Sequence, residues 1–265
     1  MTIVVKIGGS IADADHALRD IASRSGPMVV VHGASRELNE LSSQLGSPPR
    51  IVESERGEVS RYTDTATMDR FLMAYAGKAN KRVVERLRQL GVDALGLSGL
   101  DGGIVRGHRR PDLRIRENGK TLVLHDNHVG TIEVVNTALL LLLLAGGYTP
   151  VLTPPIAADD GTALNVDGDR MAAEIAVALS AEALVVLSNT PGLLRDVDDD
   201  ATTIARVAPD EVDTLLPLLG GRARSKLRAA ASARQHGVRS VAIADGRIVR
   251  PVTSALAGAG TWLLG

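Results

Sequence analysis

Six short runs rich in aliphatic and β-branched residues, at 3–7, 28–31, 94–97, 150–153, 183–187 and 240–244, show no regular alternation of apolar and polar residues, Lys6 being the one charged residue among them. A strand with one wet face alternates apolar and polar residues, so a run without alternation needs cover on both faces. Alanine- and leucine-rich stretches at 69–90, 169–179 and 226–236 lie between the runs and are long enough for helices. The pattern predicts an α/β fold, an open and mainly parallel sheet sandwiched by helices. At 265 residues the chain fits a single domain over 1–265, divided into lobes at 1–179 and 180–265.

Several function classes drop out at once. Without a cysteine there is no disulfide framework, zinc ribbon or thiol nucleophile. Thirty Lys and Arg against 31 Asp and Glu leave no global field for nucleic acid, so a charged partner must meet a local patch. Residues 1–7 read directly as a strand rather than a signal peptide, and a cytoplasmic protein is expected. The apolar run at 138–145 ends at Gly146-Gly147, far short of the ~20 residues of a bilayer span, and is expected to be a buried helix.

Two stretches break the alternation. Between 103 and 124, arms at 104–110 and 120–124 flank Pro111 and the turn-like Glu117-Asn118-Gly119, predicting a protruding β-hairpin. The acidic run Asp196-Val197-Asp198-Asp199-Asp200 reads as a solvated loop, and no metal ligand is assigned.

Chemistry in an open α/β sheet collects beyond the carboxyl ends of the strands, where glycine-rich turns leave backbone N–H groups facing an anion. The first strand runs into Lys6-Ile7-Gly8-Gly9-Ser10 and the second into His32-Gly33-Ala34-Ser35. Neither is a Gly-Lys-Ser/Thr phosphate loop or a three-glycine dinucleotide pattern. Further on, Asn165, Asp167 and Asp169 alternate before an alanine-rich helix, and extended backbone there would place all three on one side. Asp169 reads equally as a helix N-cap. Arg222, Arg224 and Lys226 then surround a glycine-rich helix entrance near Leu227, and an anion such as phosphate would neutralise them.

In this order the pieces resemble the amino-acid kinase family and its acetylglutamate kinase branch. The resemblance also covers Arg61-Tyr62-Thr63-Asp64, the stretch from Met73 to Asn80-Lys81, 96–102, Ser188 to Gly192 and Gly260-Thr261. Tyr62, preceded by Gly57 and Ser60, and the pair Gly221-Arg222 look most like the kinases that act on aminoadipate or glutamate linked to the small acidic carrier protein LysW.

The resemblance implies transfer of the ATP γ-phosphoryl group to a side-chain carboxylate. Lys6 and Lys226 are the expected cations, Asp169 their orienting partner, and Gly8, Gly9 and Gly33 the backbone donors. Ala34, Arg61 and Asn165 are expected around the amino acid; Gly9, Ser10, Ser188, Asn189, Gly192 and Lys226 around the nucleotide. Residues 1–179 become the amino-acid lobe and 180–265 the nucleotide lobe. Mg²⁺ is expected on phosphate oxygens and water, without a strong protein ligand. The basic residues Arg106, His108, Arg109, Arg110, Arg114, Arg116 and Lys120 would meet an acidic carrier, or simply gate the site. A homodimer through 69–90 follows from the family, with no membrane or nucleic-acid partner. Because the first strand starts almost at Met1, no arginine-inhibited hexamer is expected.

Ala34, Asn189, Thr190, Ala223 and Asp167 depart from the usual residues of the family. Two alternatives accompany the main expectation: a kinase of free N-acetylglutamate, and a nucleotide-binding storage or regulatory protein without turnover.

Overall fold

The computed structural model describes residues 1–11, 13–53, 59–110, 112–117 and 120–265. The chain begins with β1 (Ile3–Ile7), α1 (Asp15–Ala22), β2 (Met28–His32), α2 (Ser35–Gln44), β3 (Ile51–Glu53), β4 (Val59–Arg61), α3 (Thr65–Leu72), a π-helical stretch (Met73–Ala79) and α4 (Asn80–Gln89). It continues through β5 (Ala94–Gly99), β6 (Val105–Arg109), β7 (Leu113–Glu117), β8 (Lys120–Leu124), β9 (Gly130–Val135), α5 (Thr137–Ala145), β10 (Thr149–Ala158), β11 (Ala163–Leu164) and α6 (Gly168–Ala178). The last part holds β12 (Ala183–Ser188), β13 (Arg206–Val207), α7 (Val212–Leu215), α8 (Gly221–Gln235), β14 (Ser240–Asp245), α9 (Pro251–Leu256) and β15 (Thr261–Leu263).

All six apolar runs enter one mainly parallel sheet, ordered β13-β15-β14-β12-β1-β2-β10-β6-β9, with β5 and β11 also paired to β10. Residue alternation along its buried strands divides the core. Val4, Val31, Val186 and Ile243 pack with α6 and α8 on one face, while Val5, Val30, Val185 and Ala242 pack with α1, α4 and α9 on the other. Both faces are therefore dry, which is why these strands carry no polar alternation. β1 lies between β2 and β12, so its carboxyl end opens where the two halves of the sheet meet.

The structure corrects several sequence expectations. The arm at 104–110 is no hairpin arm: Val105 and Gly107 face inward, and β6 joins the main sheet against β9 and β10. The protruding hairpin is β7 with β8, and its turn at 118–119, like Pro111, lies outside the described residues, as does Gly57. The helix expected at 226–236 begins at Gly221, because extended Gly220 starts it and the Arg224 side chain donates to the carbonyls of Leu216 and Leu219. Lys226 therefore sits in the second turn rather than at the helix entrance, and Arg224 needs no phosphate. The leucine run forms α5, but only Leu140 is fully buried, while Leu141 and Leu142 are exposed. A helix apolar all round can turn just one stripe toward the sheet.

Buried polar groups tie α4 to the sheet end. Asn80 Nδ2 donates to the Val151 carbonyl at 2.9 Å and to His32 Nε2 at 3.1 Å, so that ring nitrogen is an acceptor. The His32 proton then sits on Nδ1, 3.2 Å from the Gly33 carbonyl. Burial pushes the imidazole down to about 4 from 6.5, with the Gly33 bond opposing the shift and the nearby Lys6 charge adding to it.

A neutral buried histidine makes unfolding proton-linked. Between about pH 4 and 6.5 the unfolded chain binds the proton that the native chain refuses, so stability rises with pH across that window. The His32 contribution to the slope approaches about 1.4 kcal/mol per pH unit. Urea unfolding from pH 4.5 to 7 checks this: His32→Gln should flatten the dependence by that amount, and an unchanged slope would show the ring is not held neutral.

Candidate active site

Lys6 shares the sheet face of Val4, so its stem crosses the core beneath α6 and its ammonium emerges at the carboxyl end of β1. Asp169 meets it there. Its Oδ1 accepts from Lys6 Nζ at 2.5 Å, and its Oδ2 accepts from Lys226 Nζ at 2.7 Å. One carboxylate thus joins β1, the first turn of α6 and the second turn of α8.

Asp169 is free for this role because Asp167 caps the helix. Asp167 Oδ1 accepts from the backbone N–H groups of Asp169 and Arg170, and its Oδ2 accepts from the Ser225 hydroxyl at 2.8 Å. Helical backbone from Gly168 onward prevents the extended, one-sided arrangement expected for Asn165, Asp167 and Asp169. Burial works to raise the Asp169 pKa, but the two ammonium groups overcome it and hold the carboxyl far below its ordinary range. Burial pushes Lys226 down, aided by the Lys6 charge and opposed by Asp169. Two positive charges against one negative leave the cluster with a surplus cation.

The two glycine turns close over this end of the sheet backbone to backbone. A Cβ on Gly9 would lie 2.7 Å from the Ala34 nitrogen, and one on Gly33 would lie 3.0 Å from the Gly9 nitrogen. Side chains cannot fit there. Among the described residues, the N–H groups of Gly9 and Ser10 have no hydrogen-bond partner. Gly8 instead donates to the Leu187 carbonyl, which fixes the turn on β12.

A second group gathers around Thr63, which is fully buried. Its hydroxyl donates to the Arg61 carbonyl at 3.3 Å and accepts from Asn165 Nδ2 at 3.1 Å. Asp64 caps α3 through the Thr67 N–H, fixing the direction of this segment. The Arg61 guanidinium bonds Asn39 through NH2, while its buried NH1 has no partner. Burial lowers the Arg61 pKa, as desolvation of an unpaired cation requires. Tyr75, in the π-helical stretch, stacks on Phe71 at 3.9 Å. Its burial raises the phenol to about 12, so it stays neutral beside α2. Tyr75 had no signal beyond lying inside a matched motif.

Ser188, Asn189 and Gly192 form a separate cluster after β12. Ser188 is buried, Asn189 is exposed, and a Cβ on Gly192 would lie 2.5 Å from Thr261 Oγ1. Ser188 ends β12 beside Asp245 of β14, and Gly192 packs against Thr261 of β15. A cavity of about 330 Å³ lies on the α1 and α4 side of the glycine turns. Its Arg82 and Arg86 are paired with Glu85 and Asp15.

The chain matches the amino acid kinase family over residues 1–245. It is 49% identical over 263 residues to a LysW-aminoadipate kinase of Deinococcus radiodurans, covering 98% of this chain and 90% of that one. Identity to the LysW-aminoadipate kinase of Thermus thermophilus is 43%, over 98% of each chain. An acetylglutamate kinase of Methanopyrus kandleri is 38% identical, covering 91% of this chain and 94% of that one. Among solved structures, Giardia carbamate kinase has the same fold, with TM-score 0.68 and 13% identity over 99% of this chain and 98% of that one. An N-acetylglutamate synthase from Neisseria gonorrhoeae superposes with TM-score 0.79 at 24% identity over all of this chain, which spans 59% of the synthase. No helix among the described residues is long and apolar enough to cross a membrane.

Removing the bridging charge leaves two buried ammonium groups without a counter-ion, which typically costs about 3–5 kcal/mol. Asp169→Asn should therefore lower the unfolding free energy by an amount of that order in urea titration. A change below about 1 kcal/mol would show that the cluster is solvated and not a buried ion pair.

Proposed function

This chain belongs to the amino acid kinase family, and on that premise we propose that it phosphorylates the side-chain carboxylate of LysW-linked α-aminoadipate or glutamate. The observation that carries the reading is the surplus cation at Lys6–Asp169–Lys226, set beside unpartnered backbone donors on the Gly9 turn. That end of the sheet suits a phosphoryl group in flight. A substrate carboxylate oxygen forms the new bond to the γ-phosphorus, the bond to the β,γ-bridging oxygen breaks, and ADP leaves with the electron pair. Such a transfer needs alignment and positive charge around the equatorial oxygens more than covalent help.

In this reading Lys6 and Lys226 hold the moving group from β1 and α8, with Asp169 fixing the angle between them. Gly9 contributes a backbone donor and Gly33 the close approach it needs; the N–H groups of Gly8 and Gly33 are committed to the Leu187 and Ile7 carbonyls and donate nothing to a ligand. Arg61 takes the α-carboxylate through its orphaned NH1, suited to planar pairing, with Asn165 beside it. Residues 1–179 supply the amino-acid side. The nucleotide side is 180–265, where Ser188, Asn189 and Gly192 lie. Asp169 is committed to two lysines and Asp167 to a helix cap and Ser225, so Mg²⁺ would ride on triphosphate oxygens. We place the reaction in the cytoplasm and the chain in a homodimer through the face of 69–90, where Met73 is exposed.

The second reading, free N-acetylglutamate as acceptor, is favoured by the acetylglutamate kinase relative and separated by the basic hairpin. Of the expected basic cluster, His108 is engaged by Glu133 and Asp159, and Arg109 by Asp126 and the Asn127 carbonyl. Arg114, Arg116 and Lys120 remain on the protruding hairpin to meet an acidic carrier.

A hydroxamate assay with ATP compares carrier-linked aminoadipate, carrier-linked glutamate and N-acetylglutamate as acceptors. Turnover on the carrier-linked compounds is expected; turnover on N-acetylglutamate alone would select the second reading. Lys6→Ala should lose about 10²–10³ in kcat, the usual cost of one oxyanion stabiliser, while folding normally. Acyl phosphate formation at the wild-type rate would overturn the assignment. Raising salt from 50 to 500 mM should raise KM for the carrier-linked substrate severalfold and leave KM for ATP nearly fixed, since exposed charges are screened. A salt-independent KM would rule out capture by the hairpin.

A further inference from the structure

The segment between β8 and β9 enters the amino-acid group from a side the sequence did not mark. The His128 N–H donates to the Thr63 carbonyl at 2.7 Å, and the Asn165 N–H donates to the His128 carbonyl at 2.7 Å. Val129 and Asn165 also bridge as parallel backbone. Residues 127–129 are thereby laced to Thr63 and Asn165, the two residues next to Arg61. The Asp126 carboxylate accepts from the Thr65 N–H at 2.9 Å and Arg109 donates to the Asn127 carbonyl at 2.8 Å, while the Arg110 N–H donates to the Val129 carbonyl at 2.8 Å, so the segment is held at both ends.

Within this laced group three buried polar atoms lack partners among the described residues: Arg61 NH1, Asn127 Oδ1 and His128 Nδ1. Burying such an atom without a hydrogen bond is costly, and a functional role is one reason to keep one. Asn127 is the sharpest case. It is 3% exposed, and its buried Oδ1 has no hydrogen-bond partner among the described residues. The orphaned donor on Arg61 and the orphaned acceptor on Asn127, on segments joined through Thr63, complement a ligand that carries an anionic acceptor and a neutral donor.

We infer that Asn127 is a substrate-binding residue, whose Oδ1 accepts the amide N–H at the blocked amino end of the acceptor amino acid. The α-carboxylate and that N–H hang on the same carbon, so one ligand satisfies both orphans. A neutral amide suits the site better than a free ammonium, which would bring a second cation toward desolvated Arg61. The inference rests on the kinase reading above and assigns it a selectivity element for N-blocked amino acids.

The test uses the full-length enzyme with ATP and carrier-linked aminoadipate. Asn127→Ala should raise KM for the amino-acid substrate at least tenfold, with the loss falling mainly on KM and with KM for ATP held within about twofold. Because Oδ1 of the replaced carboxamide has no partner among the described residues, the midpoint of thermal unfolding should stay level or rise. Asn127→Gln, measured in parallel, guards against an idiosyncratic effect of truncation and should also raise KM for the amino acid and not for ATP. An unchanged KM for the amino acid, or equal rises in both KM values, would overturn the inference. Failure of the kinase reading is distinguishable, because wild-type enzyme would then form no acyl phosphate.

Discussion

One buried carboxylate holding two ammonium groups is the constraint around which the rest of this molecule is arranged. Asp169 is 6% exposed and its two lysines come from β1 and α8, residues 163 and 57 positions distant in the chain. Such a triad is unfavourable on desolvation grounds alone, and two like charges beside each other add to the cost. It persists because the apolar sheet and both of its covering helices fix the three anchors, leaving the side chains little freedom to separate. The stability of the fold is thus committed in part to keeping positive charge where an anion must pass.

The same logic explains the division of labour between neighbouring aspartates. A helix beginning at Gly168 needs acceptors for its first N–H groups, and Asp167 supplies them. Were Asp169 the cap, its oxygens would be directed at backbone and the lysines would lack a common partner. Two residues of spacing therefore separate a structural carboxylate from an electrostatic one. The glycine turns work by a parallel principle: Gly9 and Gly33 allow two turns to touch through backbone, which leaves N–H groups at the surface of the site and no side chain over them.

How legible this was in the sequence differs by element. The six apolar runs predicted the strands of the sheet centre closely, since burial on two faces writes itself into composition. Lys6, Asp169 and Lys226 could be nominated from motifs, but which aspartate faces the lysines depended on where the helix starts, a matter of one turn of backbone. Lys226 was misplaced at a helix entrance for the same reason. The arm at 104–110 was assigned to the hairpin because its partner β9 follows the hairpin in sequence, so local turn signals outweighed a pairing across it. Asn127 and His128 carry no signal at all: an exposed-looking polar segment is brought against Thr63 and Asn165 only by the fold.

On the function proposed above, that contrast says where specificity would reside and what each end of the molecule would do. The phosphoryl end is built on β1, β2, α6 and α8, inside the best-packed part of the core, and its geometry is as rigid as the sheet. The amino-acid end is built from β3, β4, the hairpin and the segment after it, short elements joined by side-chain hydrogen bonds. Phosphoryl transfer demands alignment and charge, which the rigid half provides for any acceptor brought to it. Choosing the acceptor then falls to the half whose contacts can be exchanged one at a time without disturbing the sheet. A chain built this way can keep its chemistry while its substrate changes, because the residues that select the amino acid contribute little to holding the lysines in place.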